Sequence, residues 1–183
     1  MIYGFFGDIG SGKTLSMTRY GYYYHLAGCD VYSNYGLSFD HTKIDMDFML
    51  SIVEEDKDFG ENTVFLMDEF DMWADSRSSM KKTNKIISYF VKQVRKKNIR
   101  LLYATQQKHL IDKRIRGLTR KDIICTSKEV NIYDYTISVI YNTIISNKND
   151  RRVEIGKTRF YGNSFYDLYD TNELITAEES LKD

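Results

Sequence analysis

The chain contains no proline, two cysteines, three histidines and one tryptophan in 183 residues. Cys29 and Cys125 are far apart and neither belongs to a CxxC pair, so a disulfide framework and a structural zinc site are not expected, and the thiols are read as reduced. No run approaches the roughly 18 apolar residues of a membrane-spanning helix, and the N-terminus lacks the basic-then-apolar order of a secretion signal. These absences lead to the expectation of a cytoplasmic protein without a membrane anchor. There is no internal repeat and no low-complexity linker. With 42% hydrophobic and 14% aromatic residues, one domain over 1–183 is the economical reading, with a core over 1–127 and a C-terminal hairpin and tail over 128–183.

The formal net charge is zero, but the charges are unevenly spread. Between Lys81 and Lys121 stand 14 Lys and Arg against the single acid Asp112, whereas the first 80 residues carry 5 basic and 14 acidic side chains. Such a block is either a solvated face or a track for a polyanion contacted through its phosphates.

The most informative stretch is Gly7-Asp8-Ile9-Gly10-Ser11-Gly12-Lys13-Thr14, directly after the apolar run Ile2–Phe6 and before an amphipathic helical stretch from Thr14 to Leu26. This is the pattern of a phosphate-binding loop between strand and helix. Glycines let main-chain N–H groups turn around an anion, and the helix offers its positive end. Lys13 can reach the β and γ phosphates, and Thr14 can hold Mg²⁺. The nucleotide-binding run is therefore Gly7, Asp8, Ile9, Gly10, Ser11, Gly12, Lys13, Thr14 and Leu15, and the implied ligand is ATP or GTP with Mg²⁺.

Thr63–Met67 reads as a buried parallel strand ending in Asp68-Glu69, where an open α/β sheet places its ligands. Asp68 can bind Mg²⁺, and Glu69 can polarise an attacking water as general base. A third strand, Arg100–Ala104, ends in Thr105-Gln106-Gln107. Gln106 is read there as a sensor touching both the γ phosphate and the water.

Alternating elements continue through strand 30–34, a helical stretch near 45–54, a long helix from Thr83 or Asn84, and strand 122–126. They predict an α/β fold, a phosphate-loop NTPase with a parallel sheet of about five strands and helices on both faces. Beyond it, Tyr135–Tyr141 and Arg151–Tyr161 flank the turn cluster 147–150 and predict an appended antiparallel hairpin.

Together the phosphate loop, Phe65–Glu69, the run Val94–Gln106 and Asp112–Arg116 resemble the HerA/FtsK superfamily of ring ATPases, closest to viral genome-packaging ATPases and the zonular occludens toxin-like proteins of filamentous phages. The resemblance covers roughly 1–127. It implies an ASCE-type sheet in which the Gln106 strand lies between the phosphate-loop strand and the Asp68 strand. It further implies an ATPase acting on DNA as a homo-oligomeric ring, a pentamer or hexamer, with a virion capsid or membrane protein as a further partner. Arg95 matches the position that often reaches a neighbouring subunit's nucleotide; Arg114 and Arg116 are weaker candidates for that role. For DNA contact, Lys81, Lys82 and Lys85 are the candidates, since they follow the segment just after the acids. The sequence shows no N-terminal extension and no transmembrane segment after the core, which favours a packaging motor over membrane-bound filament assembly. A thymidine-kinase-like nucleoside kinase and an ATP-gated scaffold stay open as alternatives.

Overall fold

The computed structural model describes residues 1–55, 59–60, 62–73, 82–96, 99–148 and 151–170, with the side chains of 53, 54, 82–85 and 95 outside the description. Its elements run β1 (Ile2–Phe6), α1 (Lys13–Leu26), β2 (Asp30–Ser33), β3 (Thr42–Lys43), α2 (Met46–Glu54), β4 (Thr63–Met67), α3 (Phe70–Trp73), α4 (Lys82–Lys96), β5 (Arg100–Thr105), α5 (Lys113–Leu118), β6 (Lys121–Ile132), β7 (Tyr135–Lys148) and β8 (Arg151–Tyr161). All strands join one sheet in the order β3-β2-β4-β5-β1-β6-β7-β8. The pairs from β3 to β6 are parallel, and β6–β7 and β7–β8 are antiparallel.

The central strands β1 and β4 are apolar and buried at every position, as strands covered on both faces must be. On one face α2, α3, α4 and α5 bring Met49, Phe70, Phe90 and Ile115 against Phe65, Leu101 and Tyr103. On the other, α1 brings Met17 against Phe5, Leu66 and Leu102. Asp45 caps α2 by accepting from the Phe48 N–H at 2.8 Å. Gly21 lets α1 close on the sheet: a Cβ there would stand 2.3 Å from a Leu66 methyl. The expected helices on both faces are present, and β5 lies between β1 and β4.

Among the described residues the parallel part has six strands rather than about five, the addition being β3, and β7 and β8 bring the sheet to eight. β3 has two polar, exposed residues and no periodicity to read. The expected C-terminal antiparallel hairpin is present as β7–β8, and it continues the core sheet through β6, which runs for 12 residues, passes out of the core and pairs with β7 along its whole length. The outer half of β6 is exposed, so it lacks the buried alternation that marks a strand in sequence.

Two clusters anchor the hairpin. Asp122, fully buried on β6, accepts from Lys108 of the loop after β5, from Asn147 Nδ2 at 2.8 Å and from Arg152 at 3.3 Å. The Arg19 guanidinium of α1 lies 4.6 Å from the Phe160 ring centre and 5.5 Å from that of Phe165, so it clamps β8 to the helix through cation–π contacts. Among the described residues, no helix is long and apolar enough to cross a membrane.

Candidate active site

The loop from Gly7 to Gly12 turns β1 into α1 by conformations that glycine supplies. Gly7, Gly10 and Gly12 have φ of 154°, 73° and 81°. Gly7 is also sterically confined, since a Cβ would lie 2.4 Å from the Cys125 carbonyl oxygen on β6. Gly12 is the N-cap of α1, and its carbonyl accepts from the Ser16 N–H at 2.8 Å. The first N–H groups of α1 have no intrahelical acceptor, which is what lets a helix start bind an anion.

Lys13 is almost entirely buried, and its ammonium donates to the Asp8 carbonyl at 2.9 Å, folded back over the loop. Ile9 points out at 83% exposure and Asp8 is exposed, so both offer the loop their main chain. Leu15 turns its side chain into an apolar cluster with Ile140 and Phe160, which leaves only its N–H for a ligand.

The acids arrive from the end of β4. The Thr14 hydroxyl donates to Asp68 Oδ2 at 2.7 Å, joining the phosphate loop to the acid strand across 54 residues. Asp68 Oδ1 accepts from the Glu69 N–H at 3.0 Å. Burial pushes the Asp68 carboxyl above its ordinary value, against the pull of these two hydrogen bonds and the nearby Lys13 charge. Glu69 has a left-handed φ of 44°, an uncommon conformation for a side chain of this kind. Its carboxyl is likewise raised, first by burial and then by the negative charges of Asp68 and Asp71.

A hydroxyl and a carboxylate fit Mg²⁺, a hard cation that takes oxygen ligands and is commonly held by one or two carboxylates plus phosphates and water. Among the described residues there is no cluster of three or more His, Cys, Asp or Glu, so a metal held wholly by protein is not built here. Thr14 and Asp68 would hold Mg²⁺ together with a bound nucleotide.

Three contributors escaped the sequence reading. Asn34, just past β2, donates from Nδ2 to the Asp68 carbonyl at 2.9 Å and accepts from the Asp68 N–H at 2.8 Å. It follows an apolar strand just as Asp68 does, and that strand-end position is the signal that could have found it. Asp71 accepts from the Thr105 hydroxyl at 2.6 Å, tying α3 to the end of β5. Ser127 on β6 donates to the Gly10 carbonyl at 2.8 Å, so the hairpin supports the loop directly. Only the folded sheet brings these last two to the site.

Gln106 is exposed directly beyond β5, whose last residue Thr105 is level with Phe6 of β1. It therefore emerges between the phosphate loop and Asp68-Glu69. Arg114 pairs with Asp112 at 2.7 Å, at the N-terminus of α5. The Arg95, Lys82 and Lys85 side chains and the whole of Lys81 lie outside the described residues.

A phosphate loop after β1, acids after β4 and a polar strand end between them define the fold of a phosphate-loop NTPase. Among solved structures, the N-terminal domain of zonular occludens toxin from Neisseria meningitidis matches at TM-score 0.59 and 21% identity, over 92% of this chain and 98% of that one. The DNA-packaging ATPase from Sulfolobus turreted icosahedral virus matches at 0.52 and 13%, over 67% of this chain and 74% of that one. The genome packaging NTPase from Sulfolobus turreted icosahedral virus 2, in complex with AMP, matches at 0.50 and 14%, over 78% and 94%. At such identities the fold is what is shared. No protein-family model and no curated protein matches the sequence.

Proposed function

We propose that this chain is an ATP-hydrolysing motor that moves DNA, working as a homo-oligomeric ring that packages a viral genome into a capsid. The observation that carries the hydrolytic part is the 2.7 Å bond from Thr14 to Asp68, which brings the phosphate loop and the acid strand end into one site beside Glu69. Lys13 binds the β and γ phosphates, and the loop N–H groups orient them. Mg²⁺ held by Thr14 and Asp68 would neutralise charge developing on the phosphate oxygens. Glu69 takes a proton from water as the water oxygen bonds to the γ phosphorus, and the bond from that phosphorus to the β–γ bridging oxygen breaks, giving ADP and phosphate. Gln106 positions the water and reports whether the γ phosphate is intact.

The DNA part is supported by the basic block from Lys81 to Lys121 and by the fold shared with genome-packaging enzymes. Filamentous-phage assembly is the second reading, favoured by the match to the zonular occludens toxin domain, which extends over nearly the whole chain. Phosphate release is measured against protein concentration, with and without DNA, and with a nucleoside acceptor. Turnover that rises with assembly and with DNA is expected. Turnover that requires the nucleoside would identify a kinase, and ATP binding without turnover in assembled protein would identify a scaffold.

A further inference from the structure

The antiparallel extension has two unlike faces. Residues whose Cα atoms pair across β6, β7 and β8 share a face, so Thr126, Tyr141 and Arg159 stand together, as do Val139 and Tyr161. On this face the rings of Tyr135, Tyr141 and Tyr161 are 76%, 39% and 63% exposed. Lys128, Lys157 and Arg159 are exposed among them. Of the acids on this face among the described residues, Asp122 is buried and held by Lys108, Asn147 and Arg152, and Glu154 pairs with Lys157 at 3.3 Å; Lys128 and Arg159 have no ion-pair partner among the described residues. On the opposite face of the ribbon stand Glu129, Asn131 and Thr136, and towards the core that face packs Ile140 and Phe160 on Leu15 of α1.

We propose that this open aromatic and basic face binds single-stranded nucleic acid, with bases stacked on the three tyrosines and phosphates on Lys128 and Arg159. A flat sheet face suits unstacked bases, because every base has a π-face and needs no groove to be read. Six residue steps separate Tyr135 from Tyr141, about 20 Å along β7, the span of a few extended nucleotides. Tyr161 faces the interval between them. Interleaved lysine and arginine suit a polyanion, whereas the core of a protein–protein contact is depleted in lysine. The ribbon itself touches the phosphate loop from its opposite face, where Ser127, next to Lys128, donates to the Gly10 carbonyl. This goes beyond the hydrolytic reading and does not need turnover.

The test is fluorescence anisotropy of labelled deoxythymidine and uridine 15-mers, and of a DNA duplex, with the full chain and no ATP. Each single Tyr→Leu change at 135, 141 or 161 is expected to weaken binding of a 15-mer about tenfold, Tyr→Phe to leave it nearly intact, and Lys128→Ala or Arg159→Ala to lower the salt slope by about 0.7 per charge. Preference for one 15-mer over the other decides between DNA and RNA as the strand held. Equal affinity in the Tyr→Leu variants, preference for duplex, or no binding of either 15-mer overturns the proposal. So does a Tyr→Leu effect confined to oligomeric state, which would make this face a contact between copies. Strand binding without ATP turnover would sustain this inference while removing the motor reading.

Discussion

Asn34 holds Asp68 by both main-chain groups, donating to its carbonyl at 2.9 Å and accepting from its N–H at 2.8 Å. The carboxamide matches the main-chain donor and acceptor of one residue, across two successive peptide units, and fixes the place where β4 turns away from the sheet. Asn34→Ala removes both bonds and leaves buried main-chain groups unpaired, so a loss of about 2–4 kcal/mol in unfolding free energy is expected by denaturant titration. Hydrolysis should fall far more than ATP affinity, because Asn34 positions the acids and leaves the phosphate loop untouched.

Gly7 tests the link between the phosphate loop and β6. Its φ of 154° is one that side chains rarely adopt, and an added Cβ would meet the Cys125 carbonyl oxygen, a main-chain atom that cannot swing aside. Gly7→Ala should lower the melting temperature by several degrees and weaken ATP binding; Gly60→Ala, with open space around it, should lower the melting temperature much less.

A pH profile tests Glu69 as the base. Its carboxyl is raised by burial and by Asp68 and Asp71, and hydrolysis needs it ionised, so the rate should fall on the acid side from a pH above the ordinary Glu value. Asp71→Asn removes one of the charges that raise it, while the carboxamide oxygen can still accept from Thr105. The acid limb should then move to lower pH. An unmoved or upward-shifted limb would assign the ionisation elsewhere.

Arg95 is proposed to act on a neighbouring subunit's γ phosphate. Arg95→Ala protein should bind ATP nearly normally yet not hydrolyse it, and mixing it with Glu69→Gln protein should recover activity where an intact base meets an intact Arg95. Verified mixed rings without any recovery would place the arginine's role within its own subunit.

The loop from Gly7 to Thr14 and the acids after β4 are legible as a candidate site because their signals are local: glycines at fixed spacing, a lysine and threonine at a helix start, and acids at the end of an apolar strand. β1 and β4 were legible for the same reason, as short apolar runs with polar ends. Asn34, Thr105–Asp71 and Ser127–Gly10 are pairings across the sheet, and no spacing within one segment encodes them. The outer half of β6 was missed because it faces solvent, so its composition carries no burial signal. That the exposed Tyr135 and Tyr141 of β7 and Tyr161 of β8 share a face is legible only once the register of β6, β7 and β8 is known.

The most direct measurement is phosphate release from Mg-ATP by assembled wild-type, Lys13→Ala and Glu69→Gln proteins, with ATP binding measured alongside. The account predicts turnover in the wild type, weakened ATP binding and no turnover in Lys13→Ala, and retained binding with turnover at least a hundredfold slower in Glu69→Gln, about the least that removing a general base costs. Glu69→Gln protein that hydrolyses ATP at the wild-type rate would contradict it.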